Sequence, residues 1–359
     1  MKRKEPLFMA WLLLTLLLLS GCTMDDEKSN IAHSDLNSFI DSITVTPAES
    51  GRYSLASQFF EKLATLRQVE GSGPAYSALL SFFSRLHPNV RIADSLAVLQ
   101  TVEWIHNCFT MIDSGGVFFT NGAADTYAAW YLQRVEGIRP DLSVVSLPFL
   151  VGSDYRQALR KNSNTRKALN LSETDSLPVP PSTSETQDIL VEIITRLTSR
   201  PEHSPLYMAP RCGIEGKFNG HIVYLGLVHA YQASIQPQDQ LLDQLLFKLT
   251  QSWQLSHASR GLPDDLQDAI KNGMIQYLSL LLAFAPEFEK QKRYQDMDTL
   301  FTYLEPVVGE DWRFPALRYK FCHQTEEKCR QYLDELKQYA ARHPDNPQVQ
   351  GAIQELQEK

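Results

Sequence analysis

The residues best placed to do chemistry lie in one short stretch, Asn121-Gly122-Ala123-Ala124-Asp125-Thr126-Tyr127, with Trp130 one helical turn further on. An amide, a carboxylate and a hydroxyl at the opening of a helix suit a hydroxyl-rich or anionic ligand. The first N–H groups of a helix lack internal partners and carry partial positive charge. On that reading Asn121, Asp125 and Thr126 make polar contacts, and Tyr127 or Trp130 stacks on the ligand. The same residues also read as structure alone. Asp125 caps the helix, Asn121 makes the turn, and Trp130 and Tyr131 are core; a cap contributes about 1 kcal/mol with no ligand present. The stretch lacks the G-x-x-x-x-G-K-[ST] pattern of a phosphate-binding P-loop.

Elsewhere the chemistry is thinner. His106 and Cys108 have the types of a base and a thiol nucleophile, but both fall on an apolar helix. A buried cysteine and a core or capping histidine are expected there. His221 and His229 flank a strand with no third ligand at recognisable spacing, and Cys322-His323 is equally isolated. Asp154 and Glu215 are single carboxylates with no partner for acid–base work. No C-x-x-C or H-E-x-x-H occurs. The sequence names no catalytic residue, no cofactor and no metal.

The elements that position these residues follow from periodicity. Leu55, Phe59, Leu63 and Leu66 mark a first helix, broken at Gly71-Ser72-Gly73-Pro74. Leu79, Leu80, Phe83 and Leu86 mark a second, and a third is predicted from about Ile92 to Met111. The period then shortens. Residues 116–120 form a β-prone run, 127–135 a helix stopped by Gly137, and 142–147 a second strand. Strand, helix, strand predicts a right-handed βαβ crossover with parallel strands. Residues 206–209 and 221–225 are later candidates for the same sheet, separated from it by a long polar, Pro-rich loop centred on 177–181. After about Gln236 the chain reads as helical to its end. Its stripes are Leu241 to Leu249, Ile270 to Leu282 and Tyr294 to Leu304.

The N-terminus carries the clearest processing signal. A basic start, Met1-Lys2-Arg3-Lys4, precedes an apolar run from Leu7 to Leu19 that reads as an export signal. Leu19-Ser20-Gly21-Cys22 resembles the bacterial lipoprotein cleavage box, which implies acylation of Cys22 and cleavage before it. Membrane contact is then expected through that lipid, with the cell envelope, and its outer membrane in particular, as the location. The acidic Asp25-Asp26-Glu27 behind it resembles a surface-export signal and also suits a plain solvated tether, so either membrane face fits. An exported chain meets an oxidising compartment, and Cys322 with Cys329 is the candidate disulfide. A net charge of −8 argues against a nucleic-acid partner. Asp41-Ser42-Ile43 and Asp175-Ser176-Leu177 resemble the acceptor triplet of a bacterial O-glycosylation system, at Ser42 and Ser176.

A wider resemblance rests on Phe118-Phe119-Thr120-Asn121-Gly122-Ala123-Ala124-Asp125-Thr126-Tyr127 and on Trp130-Tyr131-Leu132-Gln133-Arg134-Val135-Glu136-Gly137-Ile138-Arg139-Pro140-Asp141. This phrase resembles a segment in the soluble region of bacterial membrane proteins related to protein O-mannosyltransferases, which end in tetratricopeptide-like helices. It extends over roughly Trp104 to Tyr231. Ala123 stands where that family has a carboxylate, and no multi-pass membrane part is present. The resemblance therefore implies a detached, lipid-anchored version of the soluble module rather than a glycosyltransferase. The expected fold is an α/β module with a small, mostly parallel sheet and a βαβ unit, followed by an all-α, helical-hairpin, tetratricopeptide-like domain. The expected segments are 1–21 signal peptide, 22–50 lipidated tether, 51–235 α/β module with N-terminal helices, and 236–359 helical domain. The expected role is a non-catalytic accessory module with a protein partner in the envelope. The alternatives are glycan or small-ligand binding at the Asn121–Thr126 loop and an accessory subunit of a glycosylation system.

Overall fold

The computed structural model describes residues 36–43, 45–46, 51–86, 95–172, 177–180, 186–199, 202–214, 217–232, 238–255, 268–309 and 311–357. Cys22 and Ser176, and most of the expected tether, lie outside them. The chain divides into two compact units, each built from two segments: residues 1–98 with 120–204, and residues 99–119 with 205–359. The second unit therefore takes in both the later strands and the helical tail, across the expected boundary at 235–236.

In the first unit, α1 (residues 36–43) buries Leu36, Ile40 and Ile43. Their i, i+4, i+7 spacing is helical, so this part of the expected tether is packed structure. Helices α2 (Arg52–Glu70) and α3 (Ser72–Leu86) follow, with Gly71 at φ 91° between them. Helix α5 (Ala123–Trp130) runs into a single π-helical turn, 131–135, and strand β2 (Ser143–Ser146) follows. The stretch expected to be one long loop instead holds α6 (Ser153–Lys161), α7 (Ser163–Ala168) and α8 (Gln187–Thr198). Leu190, Ile193, Ile194 and Leu197 of α8 are buried. Their helical spacing is present in the sequence but sits beside a Pro-rich stretch.

The second unit holds α4 from Leu99 on (the helix spans Ser95–Met111), β1 (Val117–Thr120) as far as Phe119, β3 (Leu206–Met208), β4 (Ile222–Tyr224) and β5 (His229–Tyr231). The strand order across the sheet is β2-β1-β3-β5-β4. Strand β1 pairs β3 in parallel, Phe118 opposite Tyr207. Strand β5 runs antiparallel to both β3 and β4, with Tyr207 opposite Ala230 and Tyr224 opposite His229. The sheet is therefore mixed rather than mostly parallel. The correction comes from β5, which doubles back through the turn at Gly226 and inserts between β3 and β4. Gly226 has φ 109°, and a Cβ there would stand 2.8 Å from Leu245 and 2.9 Å from Leu280. Only glycine fits this turn without strain.

The tail is helical throughout its described residues: α9 (Gln238–Ser252), α10 (Asp268–Lys290), α11 (Tyr294–Val308), α12 (Arg313–Lys320), α13 (Glu326–Arg342) and α14 (Pro347–Gln357). Leu241, Leu242, Leu245 and Leu249 are buried, as are Met297, Leu300, Phe301 and Leu304. In α10 the stripe is shifted, with Leu280 buried and Leu282 exposed. No described helix is long and apolar enough to cross a membrane.

Candidate functional site

Helix α5 starts at Ala123 with Gly122 in the N-cap position, three residues earlier than the sequence suggests. Asp125 consequently sits in the first turn rather than at the cap, and it is 1% exposed. A carboxylate there is favoured by the helix dipole. Thr126 spends its hydroxyl inside the fold. Its Oγ1 donates to the Gly122 carbonyl at 2.8 Å and lies 2.7 Å from Thr120 Oγ1 and 3.1 Å from Ser146 Oγ, whose hydroxyls can donate to it. These contacts tie the end of β1, the start of α5 and the end of β2 together. Asn121 Oδ1 accepts from the Thr186 hydroxyl at 2.8 Å, fixing the approach to α8.

Tyr127 and Trp130 are core residues. Tyr127 is 1% exposed and packs against Phe60, Phe82, Trp130 and Phe149. Trp130 contacts Tyr53, Phe149 and Tyr155. Burial pushes the Tyr127 hydroxyl well above the usual tyrosine range. These edge-to-face, stacked and tilted contacts each add about 0.5–1.5 kcal/mol beyond area burial.

The second half of the phrase builds a turn. Tyr131 donates its hydroxyl to Glu136 at 2.7 Å, and Glu136 also pairs with Arg67 at 2.5 Å. Burial, then the Glu136 charge, pushes the Tyr131 hydroxyl up. Gln133 donates to the carbonyls of Arg139 and Leu142 at 2.9 and 3.0 Å. Arg139, in the left-handed region at φ 51°, forks onto both carboxylate oxygens of Asp141 at 2.9 Å. Gly137 supplies a second left-handed residue at φ 68°.

The other chemistry-bearing residues stay apart. Cys108 is fully buried, with its thiol 3.6 Å from the Leu227 carbonyl. Burial lowers the pKa of His106, outweighing its contact with Asn107 and the nearby Glu103. His221 lies 2.7 Å from the Gln232 carbonyl, whereas His229 packs on Tyr224. Among the described residues no group of three His, Cys, Asp or Glu could hold a metal. Glu215 lies outside them. Asp154 has a role that spacing does not reveal: its carboxylate accepts from Ser54 N at 3.0 Å and from Ser54 Oγ at 2.9 Å. It caps the start of α2 from a hundred residues away. Ser42 lies on α1 rather than in a loop, donating to the Ser38 carbonyl at 2.9 Å. Cys322 and Cys329 form a disulfide across the α12–α13 turn, with Cα atoms 5.7 Å apart.

The hydroxyl of Thr126 and the amide oxygen of Asn121 are thus turned into the fold. A protein-family model described as TMEM260-associated domain 2 matches residues 102–198, the segment that carries the phrase. The match spans about a quarter of the chain and is consistent with a non-enzymatic, accessory type of domain there. The match is broadly in keeping with a relationship to mannosyltransferase-like membrane proteins. No curated protein and no solved structure matches the chain.

Proposed function

We propose that this chain is a non-catalytic, lipid-anchored accessory protein of the cell envelope that docks another envelope protein. Its central part is read as a detached relative of the soluble region of O-mannosyltransferase-like membrane proteins. The observation that carries this reading is the inward use of the shared phrase: Thr126, Gln133, Glu136 and Asp141 all bond within the fold. A phrase kept for packing suits a scaffold better than a reaction centre. The helices from α9 to α14 then provide tetratricopeptide-like hairpins as the docking surface. Acylated Cys22 places the module at the membrane, in the outer membrane by preference.

The test is a cross-linked pull-down of the full chain from its native membranes, with Cys22→Ala as the mislocalised control. A stoichiometric envelope partner that disappears in the control is the expected outcome. A reproducible absence of any partner would sink the docking reading. Asp125→Ala is expected to leave capture intact; loss of capture by a stably folded Asp125→Ala chain would make the loop a site.

A further inference from the structure

One side chain of the shared phrase is not absorbed by the turn. Arg134 lies on the π-helical turn directly after Trp130, with its guanidinium 5.0 Å from the Trp130 ring centroid. It donates to Ser57 Oγ at 2.9 Å and reaches the Tyr53 hydroxyl at 3.5 Å, both neutral. Among the described residues no carboxylate pairs with it. The neighbouring acids are engaged elsewhere: Asp141 with Arg139, Glu136 with Arg67 and Asp154 with Ser54. A half-buried cation held only by neutral groups is costly, and an arriving anion offsets that cost.

Arg134 lines a cavity of about 220 Å³ within the first unit. Its walls include the part-exposed Tyr53, the buried Trp130 and Tyr155, and the side chains of Gln133 and Asn164. Arg134 is the one charged residue among the lining residues. The volume is below the roughly 300–1,000 Å³ of a drug-sized site, so it suits a single small headgroup. Single π-helical turns inside helices are frequent at functional sites, because the extra residue re-aims side chains. Here the turn directs Gln133 into the following loop and leaves Arg134 at the cavity.

We propose that this cavity is a binding site for a small hydroxyl-bearing anion, a sugar acid or a phosphosugar, held by Arg134 beside Tyr53. The guanidinium fork recognises the carboxylate or phosphate, and Tyr53 and the exposed Asn164 amide recognise the hydroxylated body. This site is separate from the Asn121–Thr126 loop, and it goes beyond the docking role.

The test titrates the purified full chain with glucuronate, glucose 6-phosphate and glucose, read by calorimetry and Trp fluorescence. At least one anion is expected to bind with a Kd of about 1 mM or tighter, and glucose at least tenfold more weakly. The two anions separate carboxylate from phosphate recognition. Arg134→Gln is expected to weaken anion binding at least tenfold, and Arg134→Lys to retain part of it. Arg134 also braces Tyr53 and Ser57, so Asn164→Trp, at an exposed lining position, is a second variant that closes the cavity without touching the guanidinium. The proposal is overturned if neither anion binds at about 10 mM, or if glucose binds as tightly. It is equally overturned if Arg134→Gln, folded by circular dichroism, binds normally. Should Arg134→Gln fail to fold, unchanged binding by Asn164→Trp overturns it and lost binding supports it.

Discussion

At the scale of single residues, the Thr126 hydroxyl ties Thr120, Gly122 and Ser146 together. Thr126→Val keeps the shape but strands the buried hydroxyls of Thr120 and Ser146. Stability is expected to fall by about 1–3 kcal/mol, seen as a lower denaturant midpoint at unchanged m-value. His106 offers a pH test. Burial holds its folded pKa below 6.5, so between that lowered value and 6.5 the unfolded chain binds a proton that the fold does not. Stability from this group is present above pH 6.5 and lost as pH falls through that window. Urea midpoints at pH 7.5 and 5.5 should therefore differ less in His106→Gln than in the wild type. An equal loss in both chains would show that His106 does not contribute. The residue types in the loop suited a structural reading better than a ligand-binding one. Their side-chain partners were not, because Thr186 and Ser146 meet Asn121 and Thr126 only after α8 and β2 have packed.

At the scale of elements, two glycines separate conformational from steric demand. Gly137 and Gly226 both have positive φ, but a Cβ at Gly137 meets open space, whereas at Gly226 it meets Leu245 and Leu280. Gly137→Ala is expected to cost about 1 kcal/mol and Gly226→Ala about 2–4 kcal/mol, from strain plus overpacking. Comparable losses in thermal or urea unfolding would show that the β4–β5 turn has room to relax. Most long helices were legible from spacing, as Phe59, Leu63 and Leu66 illustrate, all buried on α2. Strand β5 was not legible. His229-Ala230-Tyr231 has no alternation to detect, and Leu225-Gly226-Leu227-Val228 reads as one apolar run instead of a turn. Helix α1 and helix α8 had the right spacing but lay in contexts that read as tether and loop.

At the scale of the whole molecule, the disulfide between Cys322 and Cys329 and the buried thiols of Cys108 and Cys212 set the thiol count of the folded chain. The full Cys22→Ser chain, unfolded without reductant, should show two titratable thiols. Four would mean that the bridge does not form. Replacing Cys322 and Cys329 by serine removes closure of a short loop and should lower the stability of the second unit by about 2 kcal/mol. Reductant should then have no further effect on that variant.

The chain's sequence by itself determined the helical character of both units, the pairing of a strand and helix around Asn121–Thr126, and the phrase within residues 102–198, which match a TMEM260-associated domain. Each of these is local, since spacing and turn chemistry operate over a few neighbouring residues. The tertiary structure alone decided the mixed sheet, the two discontinuous units and the Asp154 cap on α2. It also decided that Arg134, among the charged groups of the phrase, is left facing a cavity. Such outcomes depend on which distant partner reaches a group first in space, and no periodicity records that.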